Sequence, residues 1–179
     1  ISDVHLSTEP DFLGRYAHEL NMGALQRVCI ARALVSQPSL VVADEPTSSL
    51  DPSVQAKVLK MMLDLQIEKG LSMLFITHDL GVARKISDRI GVMLAGRLVE
   101  VGPTVQIMGR PAHPYTGLLI ASAGGEAAEA STGPGGPNTQ ACPFASRCDR
   151  VQERCVAVFP EQVRLQEGRH RVWCHFPLK

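Results

Sequence analysis

Two short apolar runs, each ending abruptly in polar residues, are the clearest features of the hydrophobic pattern. Residues 40–43 are apolar and lead directly into Asp44 and Glu45, and residues 73–76 lead into a threonine and His78. Apolar runs of four or five residues bounded by turn formers are typical of strands that are buried on both faces. A carboxylate inside such a strand carries a large desolvation cost, so we expect both acids at the carboxyl end of the strand.

The segment between the two runs has the period of an amphipathic helix. Pro52–Lys69 places apolar side chains at helical spacing, and Met61 and Met62 are predicted to fill the core. Asp51 is a favourable N-cap with a proline after it, and Gly70 is suited to end the helix. A strand, a helix and a strand in this order predict a right-handed parallel crossover, which brings both polar strand ends to one edge of the sheet.

The pattern on either side of this unit predicts further elements. A mostly buried helix is expected over residues 25–34, with Cys29 as a small core residue. A short helix is expected over residues 79–87, followed by an antiparallel hairpin of residues 90–94 and 97–101 with a short glycine turn. Residues 123–140 are rich in Gly, Ala, Ser and Pro, and we expect them to form a flexible linker.

Composition limits the function classes. The chain has 179 residues and a formal net charge of zero, which argues against broad electrostatic attachment to nucleic acid. No apolar run approaches the roughly 20 residues that span a bilayer, and no basic and apolar leader opens the chain. We therefore expect a soluble protein whose membrane role would depend on a partner.

The chain also lacks a common phosphate-binding motif. It contains no Gly-Lys pair, and hence no G-x-x-x-x-G-K-[ST] loop to cradle phosphates. It begins in the middle of a pattern and without an initiator methionine. We expect it to be the C-terminal part of a longer polypeptide whose upstream segment would hold the nucleotide.

Four of the five cysteines lie close to the end of the chain. They are Cys142, Cys148, Cys155 and Cys174, and a histidine follows the last of them. Four thiolates suit zinc and iron–sulfur chemistry equally well, although the first two spacings are wider than those of common zinc sites. Disulfides are the alternative. The segment is short for independent folding, which favours a metal centre that clips it together.

The strand ends resemble motifs of nucleotide-hydrolysing proteins. The run that ends in Asp44 and Glu45 resembles a Walker B motif, and His78 resembles the H-loop histidine of ATP-binding cassette (ABC) ATPases. The resemblance implies that Asp44 holds Mg²⁺, that Glu45 orients or polarises the attacking water, and that His78 contacts the terminal phosphate of ATP. The alternative is a solvated acidic turn followed by a capped helix.

Two further segments resemble ABC motifs at the interface between paired subunits. Ser49 and Asp51 belong to a Ser-Ser-Leu-Asp string that resembles the D-loop. The residues that resemble the ABC signature, usually Leu-Ser-Gly-Gly-Gln, are Leu20, Asn21, Met22, Gly23 and Ala24. The resemblance implies that the signature faces the nucleotide of the other subunit, whereas the structural alternative is a helix cap and a turn. Because the acids look intact and the signature is altered, we expect a heterodimer in which only one of the two sites hydrolyses ATP efficiently.

The end of the chain resembles one particular group of ABC ATPases. Residues 95–104 match the end of the ABC catalytic domain, and the segment around His113, Pro114 and Tyr115 resembles the tail of oligopeptide and dipeptide importer ATPases. Some members of that group carry a 4Fe-4S cluster at cysteines with this spacing, which favours iron–sulfur over zinc here. Disulfides are disfavoured because such an ATPase works in the reducing cytosol.

These motifs together identify the chain as a member of the ATP-binding subunits of oligopeptide and dipeptide ABC importers. The resemblance implies a P-loop NTPase-like α/β fold with a mainly parallel sheet and flanking helices, truncated at the N-terminus and followed by a small Cys-rich appendage. The expected domains are the C-terminal part of the nucleotide-binding domain (1–106), an importer-type tail with the linker (107–140), and a Cys-rich metal-binding region (141–179).

The implied function is ATP hydrolysis coupled to peptide uptake, with this fragment inactive by itself. The implied cofactors are ATP, Mg²⁺ and a 4Fe-4S cluster, with Zn²⁺ as the alternative. The implied partners are a second, unlike ABC ATPase subunit, two transmembrane permease subunits and, indirectly, an extracytoplasmic solute-binding protein, and no nucleic acid. The expected location is the cytoplasmic face of the inner membrane. The alternatives are a soluble ABC ATPase without a transport role, a catalytically incompetent remnant, and transport of nickel or another small solute.

Overall fold

A computed structural model describes residues 1–124, 140–165 and 168–178 of the chain. The chain divides into two compact units, residues 1–79 and residues 80–179. The predicted linker falls almost entirely outside the described residues. Among the described residues, no helix combines the length and the apolar character that crossing a bilayer requires.

The first unit is built around the predicted strand–helix–strand crossover. Strands β1 (Leu40–Asp44) and β2 (Ser72–Ile76) pair in parallel, so that Leu40 lies opposite Ser72 and Asp44 opposite Ile76. Helix α3 (Pro52–Lys69) connects them; Asp51 caps its start and Gly70 ends it in the left-handed conformation that glycine adopts at low cost. The elements of this unit are α1 (Pro10–Leu13), α2 (Met22–Leu34), β1 (Leu40–Asp44), α3 (Pro52–Lys69) and β2 (Ser72–Ile76), with short 3₁₀ turns at Ser2–Val4 and Ala17–Glu19.

One face of this two-stranded sheet holds the core of the first unit. Met61 and Met62 are buried as predicted, and they pack with Val4, Ala43 and Leu65. The prediction that the strands are buried on both faces is wrong. Side chains alternate along a strand, and those of the opposite face are open to solvent: Leu40 and Val42 are 54% and 58% exposed.

Helix α2 is less buried than its apolar sequence predicted. It contacts α3 and the first 3₁₀ turn, and none of its residues is fully buried. Cys29 is exposed, so its prediction as a core residue is wrong. The physical reason is that a helix is buried only on the faces where another element covers it, and periodicity does not show how many faces are covered.

The second unit contains the predicted hairpin and the C-terminal residues. Its sheet is antiparallel, in the order β3 (Arg89–Leu94), β4 (Arg97–Pro103), β6 (His170–Trp173), β5 (Gln162–Leu165). Ala95 and Gly96 both have positive φ, 48° and 75°, which matches the twist of a tight two-residue hairpin. The elements of this unit are α4 (Leu80–Ile86), β3 (Arg89–Leu94), β4 (Arg97–Pro103), α5 (Thr104–Gly109), α6 (Pro114–Ala123), α7 (Glu153–Ala157), β5 (Gln162–Leu165) and β6 (His170–Trp173).

The C-terminal residues join this sheet and do not form an appendage of their own. Strand β6 pairs with β4 through Glu100 opposite Val172 and Val101 opposite Arg171. The described residues thus form two sheets of different kinds: the parallel pairing predicted for the fold is confined to β1 and β2, and the larger sheet is antiparallel. The predicted boundaries at residues 106 and 140 stay predictions.

Candidate functional site

The ends of β1 and β2 bring Glu45 and His78 into direct contact. The main-chain N–H of Glu45 donates to the carbonyl of Ile76 at 2.9 Å, which extends the parallel ladder by one residue. The Nδ1 atom of His78 then lies 2.8 Å from Oε1 of Glu45, although the two residues are 33 positions apart in sequence. The crossover therefore assembles the acid–histidine pair that the sequence predicted at one sheet edge.

The backbone at Glu45 has an unusual conformation. Its φ is +44°, a region that side-chain-bearing residues rarely adopt and that costs about 1–3 kcal/mol. Two hydrogen bonds hold the following turn, because both the amide and the hydroxyl of Ser48 donate to the Glu45 carbonyl. Strained residues of this kind concentrate at functional sites, and the side chain of Glu45 is the one that contacts His78.

The pair faces solvent and is electrostatically coupled. The side chains of His78 and Glu45 are 76% and 42% exposed. The hydrogen bond that His78 donates to Glu45, and then the charge of Glu45, raise the pKa of His78 above the ordinary value of 6.5. The contact thus favours an imidazolium that can offer an N–H to an anionic group, and the exposure leaves room for a ligand.

Asp44 lies next to this pair at the carboxyl end of β1. It is exposed, and within the described ranges no hydrogen bond or ion pair engages its carboxylate. Mg²⁺ in nucleotide sites is commonly bound by one or two carboxylates together with substrate phosphates and water. A single available carboxylate at this position fits that donor set.

Asp51 has a structural task in the described chain. One of its oxygens accepts from the amides of Ser53 and Val54, each at 3.1 Å, and from the Ser53 hydroxyl at 2.7 Å. The Ser53 hydroxyl and then the Val54 amide lower the pKa of Asp51. The predicted cap of α3 is confirmed. Ser49 is exposed in the preceding turn, and a D-loop role for either residue stays a prediction.

The signature-like segment forms the start of α2. Asn21 accepts from the Ala24 amide at 2.8 Å, which confirms it as the N-cap. A Cβ added at Gly23 would lie 2.8 Å from Cγ1 of Val54 in α3, so glycine is needed there for the two helices to approach. Met22 is exposed, while Leu20 and Ala24 are half-buried. The structure thus explains Asn21 as a helix cap and Gly23 by the packing of the two helices, and a signature role stays a prediction.

The second unit brings the four C-terminal cysteines to one place. Cys142, Cys148, Cys155 and Cys174 all line a cavity of about 20 Å³. Burial raises the pKa of the Cys142 and Cys148 thiols, and it raises that of Cys174 to about 11. Main-chain amides act in the opposite direction at these three sulfurs, favouring the thiolate.

The cavity does not show a formed metal site. In the part of the chain that the structure describes, no three His, Cys, Asp or Glu side chains are arranged to hold a metal ion. The donor chemistry of four clustered cysteines fits zinc or an iron–sulfur centre. The size of the cavity suits one ion or one water, so a 4Fe-4S cluster would require it to open.

A buried group that the sequence reasoning missed lies beside this cavity. Glu100 in β4 is fully buried and accepts from the amides of Ala112 and His113 at 2.7 and 2.9 Å and from Nε2 of His170 at 2.6 Å. His113 is also buried, and burial lowers its pKa to about 4. The available signal was Glu100 itself, a single acid between the apolar residues Val99 and Val101.

The chain is similar to two described protein families. Residues 2–48 match the family described as ABC transporter, and residues 99–155 match the one described as oligopeptide/dipeptide transporter, C-terminal region. A Sinorhizobium fredii protein named "Probable peptide ABC transporter ATP-binding protein" is 41% identical over 93% of this chain and 49% of its own length. A Brucella melitensis protein named "Putative peptide import ATP-binding protein" is 44% identical over 82% of this chain and 48% of its own length. The chain thus spans about half the length of the curated relatives it matches.

A solved structure gives the same indication for the fold. The ATP-binding cassette MJ0796, described as a post-hydrolysis dimer bound to ADP and Pi, aligns with a TM-score of 0.50 and 32% identity. The alignment covers 57% of this chain and 43% of that one. The predicted α/β fold of the ABC ATPase type is confirmed, and the two sheets described above are its form in this chain.

Proposed function

The chain belongs to the ATP-binding proteins of peptide ABC transporters, and from that premise we propose that it supplies the hydrolytic acids of an ATPase that drives peptide uptake. The observation that carries the proposal is the 2.8 Å contact between Glu45 and His78 at the end of the parallel strand pair. It places a carboxylate and an imidazole at the sheet edge where α/β proteins bind ligands.

Each residue of the edge has a separate task in this proposal. Glu45 orients and polarises the attacking water, and His78, held by Glu45, offers an N–H to the terminal phosphate of ATP. Asp44 would hold Mg²⁺, which neutralises phosphate charge when bound. Phosphoryl transfer depends on positioning and charge compensation more than on covalent chemistry, so these few side chains suffice on this side of the nucleotide.

The test is the substitution Glu45→Gln in the complete subunit. The amide keeps the shape of the side chain but cannot accept a proton, so we expect ATP turnover to fall at least about 100-fold while ATP binding persists. The matched control is Glu68→Gln, which changes an exposed acid of the same unit far along α3. Loss of nucleotide binding together with turnover would show that Asp44 and Glu45 are wrongly assigned.

The proposal also specifies what is transported, with which partners and at which membrane. The importer-type match over residues 99–155 and the names of the relatives support a peptide as the solute, two permease subunits as partners and the cytoplasmic face of the inner membrane as the location. Uptake of a labelled peptide by vesicles that contain the reconstituted complex tests it. Uptake of nickel in place of peptide, or ATPase activity independent of permeases, would contradict it.

We also propose that the partner ATPase subunit is unlike this one. The Glu45–His78 pair is formed, whereas Met22 and Ala24 replace residues of the usual signature. Loss of Glu45 should then remove most activity of the complex, and loss of the partner's equivalent acid should remove little. Equal losses would show that Asn21 substitutes for the usual serine and that the signature works.

The four C-terminal cysteines form the last part of the proposal, as ligands of one metal centre. Their shared cavity supports it, and such a centre would tie the C-terminal residues together. Anaerobically purified protein should contain stoichiometric metal, brown if it is a 4Fe-4S cluster and colourless if it is zinc. Cys29→Ser, at the exposed cysteine, is the control for Cys155→Ser, and metal-free protein in which the four C-terminal thiols all titrate would contradict the proposal.

A further inference from the structure

His113 has a ring nitrogen for which the described chain offers no partner. The residue is 1% exposed, and its Nε2 is buried without a hydrogen bond to any described residue. A buried polar atom without a partner is costly and rare in native proteins, and it commonly marks a missing ligand or ion. His113 lines the cavity that the four cysteines share, and a group bound in that cavity is the candidate for the missing partner.

The other ring nitrogen fixes the proton on Nε2. Nδ1 of His113 accepts from the amide of Tyr115 at 3.1 Å and thereby caps α6. An amide can only donate, so Nδ1 carries no proton, and the neutral ring carries its proton on Nε2. Nε2 is therefore an N–H donor, and it is not available as a metal ligand.

Neighbouring groups hold the imidazole ring of His113 in this position. The amide of His113 donates to Oε2 of Glu100, and the amide of Ala112 donates to Oε1 of the same side chain. Phe144 packs against the ring, with the two ring centroids 6.1 Å apart. Backbone, cap and packing thus fix the imidazole, which makes the direction of its N–H a property of the fold.

The four cysteine sulfurs that line this cavity are acceptors for such a donor. Neutral thiols accept hydrogen bonds weakly, whereas metal-bound thiolates accept well, and donors to the sulfurs are part of how proteins tune such centres. We propose that Nε2–H of His113 donates a hydrogen bond to a metal-bound cysteine sulfur in this cavity, which makes His113 a positioning residue of the metal centre. The inference rests on the proposed metal centre and adds a residue to it.

Two substitutions separate the tasks of the two ring nitrogens. Asn at position 113 keeps an acceptor for the Tyr115 amide, since Asn is a favourable N-cap, but it is too short to place a donor in the cavity. Gln places an amide N–H near the position of Nε2. His175→Asn is the matched control, because His175 lines the same cavity but its Nε2 lies 3.0 Å from the Val158 carbonyl.

The affinity of the full chain for Cd²⁺ and Zn²⁺, measured by chelator competition, tests the proposal. We expect His113→Asn to weaken binding about 10- to 100-fold, the range found for residues that support metal ligands, and His113→Gln and His175→Asn to stay near wild type. Equal affinity of wild type and His113→Asn would overturn the inference and leave the metal centre intact. A wild-type chain that binds neither metal would overturn both.

A second measurement uses the wild-type chain and therefore does not depend on whether a variant folds. In the chain loaded with ¹¹³Cd, a hydrogen bond to a cadmium-bound sulfur transmits a small scalar coupling between cadmium and the Nε2 proton of His113. We expect this coupling and slow exchange of that proton. A large one-bond coupling between cadmium and Nε2 would show direct ligation, and absence of any coupling would show no contact; either result overturns the inference.

Discussion

Replacing Glu100 by alanine should destabilise the second unit more than any other single change in its sheet. Glu100 is fully buried in β4, and its carboxylate accepts three hydrogen bonds, two from the adjacent amides of Ala112 and His113 and one from His170. Alanine removes all three acceptors at once and leaves two buried amides and one imidazole N–H unpaired. The loss therefore differs from an ordinary truncation, because the cost lies in the groups that remain.

The magnitude follows from those groups. A buried donor left without a partner costs about 1–3 kcal/mol, and three such donors remain. The three contacts share one carboxylate and are not additive, so we expect a loss of about 3–5 kcal/mol for Glu100→Ala. Glu100→Gln keeps the volume but turns an amide group towards a donor, and about 1–3 kcal/mol is expected for it.

Trp173 makes the measurement specific to this unit. It is the one tryptophan of the chain and lies in β6, so its fluorescence reports the unfolding of the unit that holds Glu100. With a urea dependence of about 2 kcal/mol per M, a loss of about 4 kcal/mol lowers the midpoint by about 2 M. Chelator and reductant exclude metal and disulfide contributions. Glu161→Ala, at an exposed acid of the same unit, should change the free energy of unfolding by less than about 0.5 kcal/mol.

A Glu100→Ala midpoint equal to that of Glu161→Ala would refute the reasoning. It would mean that water reaches the Ala112 and His113 amides, so that the buried acceptor contributes nothing that solvent does not replace.

Three further outcomes are expected. Gly23→Ala should cost about 1–3 kcal/mol in far-UV circular dichroism unfolding, because the new Cβ would lie 2.8 Å from Val54, whereas Gly14→Ala, with its nearest contact at 3.4 Å, should cost little. In NMR titration the pKa of His78 should lie above 6.5 and return towards 6.5 in Glu45→Gln. Because the folded-state pKa is raised, the contact stabilises the fold below the unfolded-state pKa, and this contribution is lost as pH rises through the folded-state pKa. A His78 titration midpoint below 6.5 would contradict the contact. The 179-residue chain alone should bind a fluorescent ATP analogue weakly even with Mg²⁺, since it has no phosphate-cradling loop, and a submicromolar Kd would contradict this.

The elements that sequence predicted well carry their signals locally. Helix α3 begins after Asp51 and ends at Gly70 because a capping carboxylate and a left-handed glycine act within one turn of the helix. The hairpin turn at Ala95-Gly96 is equally local. The contact between Glu45 and His78 spans 33 residues, yet it was predictable because parallel strands place their carboxyl ends together by topology alone.

Burial could not be predicted in the same way. The apolar sequences of β1 and α2 predicted full burial, but Val42 and Cys29 are exposed. Apolar patterning shows which side chains are suited to burial. Whether they are buried depends on which neighbouring elements cover each face of the strand or helix.

The cysteine cavity and its neighbours show a different limit. The resemblance singled out His113, Pro114 and Tyr115 as a motif, but it gave no physical reason for the histidine. The structure gives three: its amide bonds to Glu100, its Nδ1 caps α6, and its ring lines the cavity of the cysteines. The cap is local, within two residues, whereas the amide bond depends on an acid 13 residues away and the cavity on residues far along the chain, so no local pattern carries those two. Alanine at this position would disturb the cap and the cavity together and could not assign a role to either. Asparagine preserves the cap and removes only the donor, which is why that variant, compared with glutamine, decides whether the motif serves the fold of α6 or the chemistry of the cysteines.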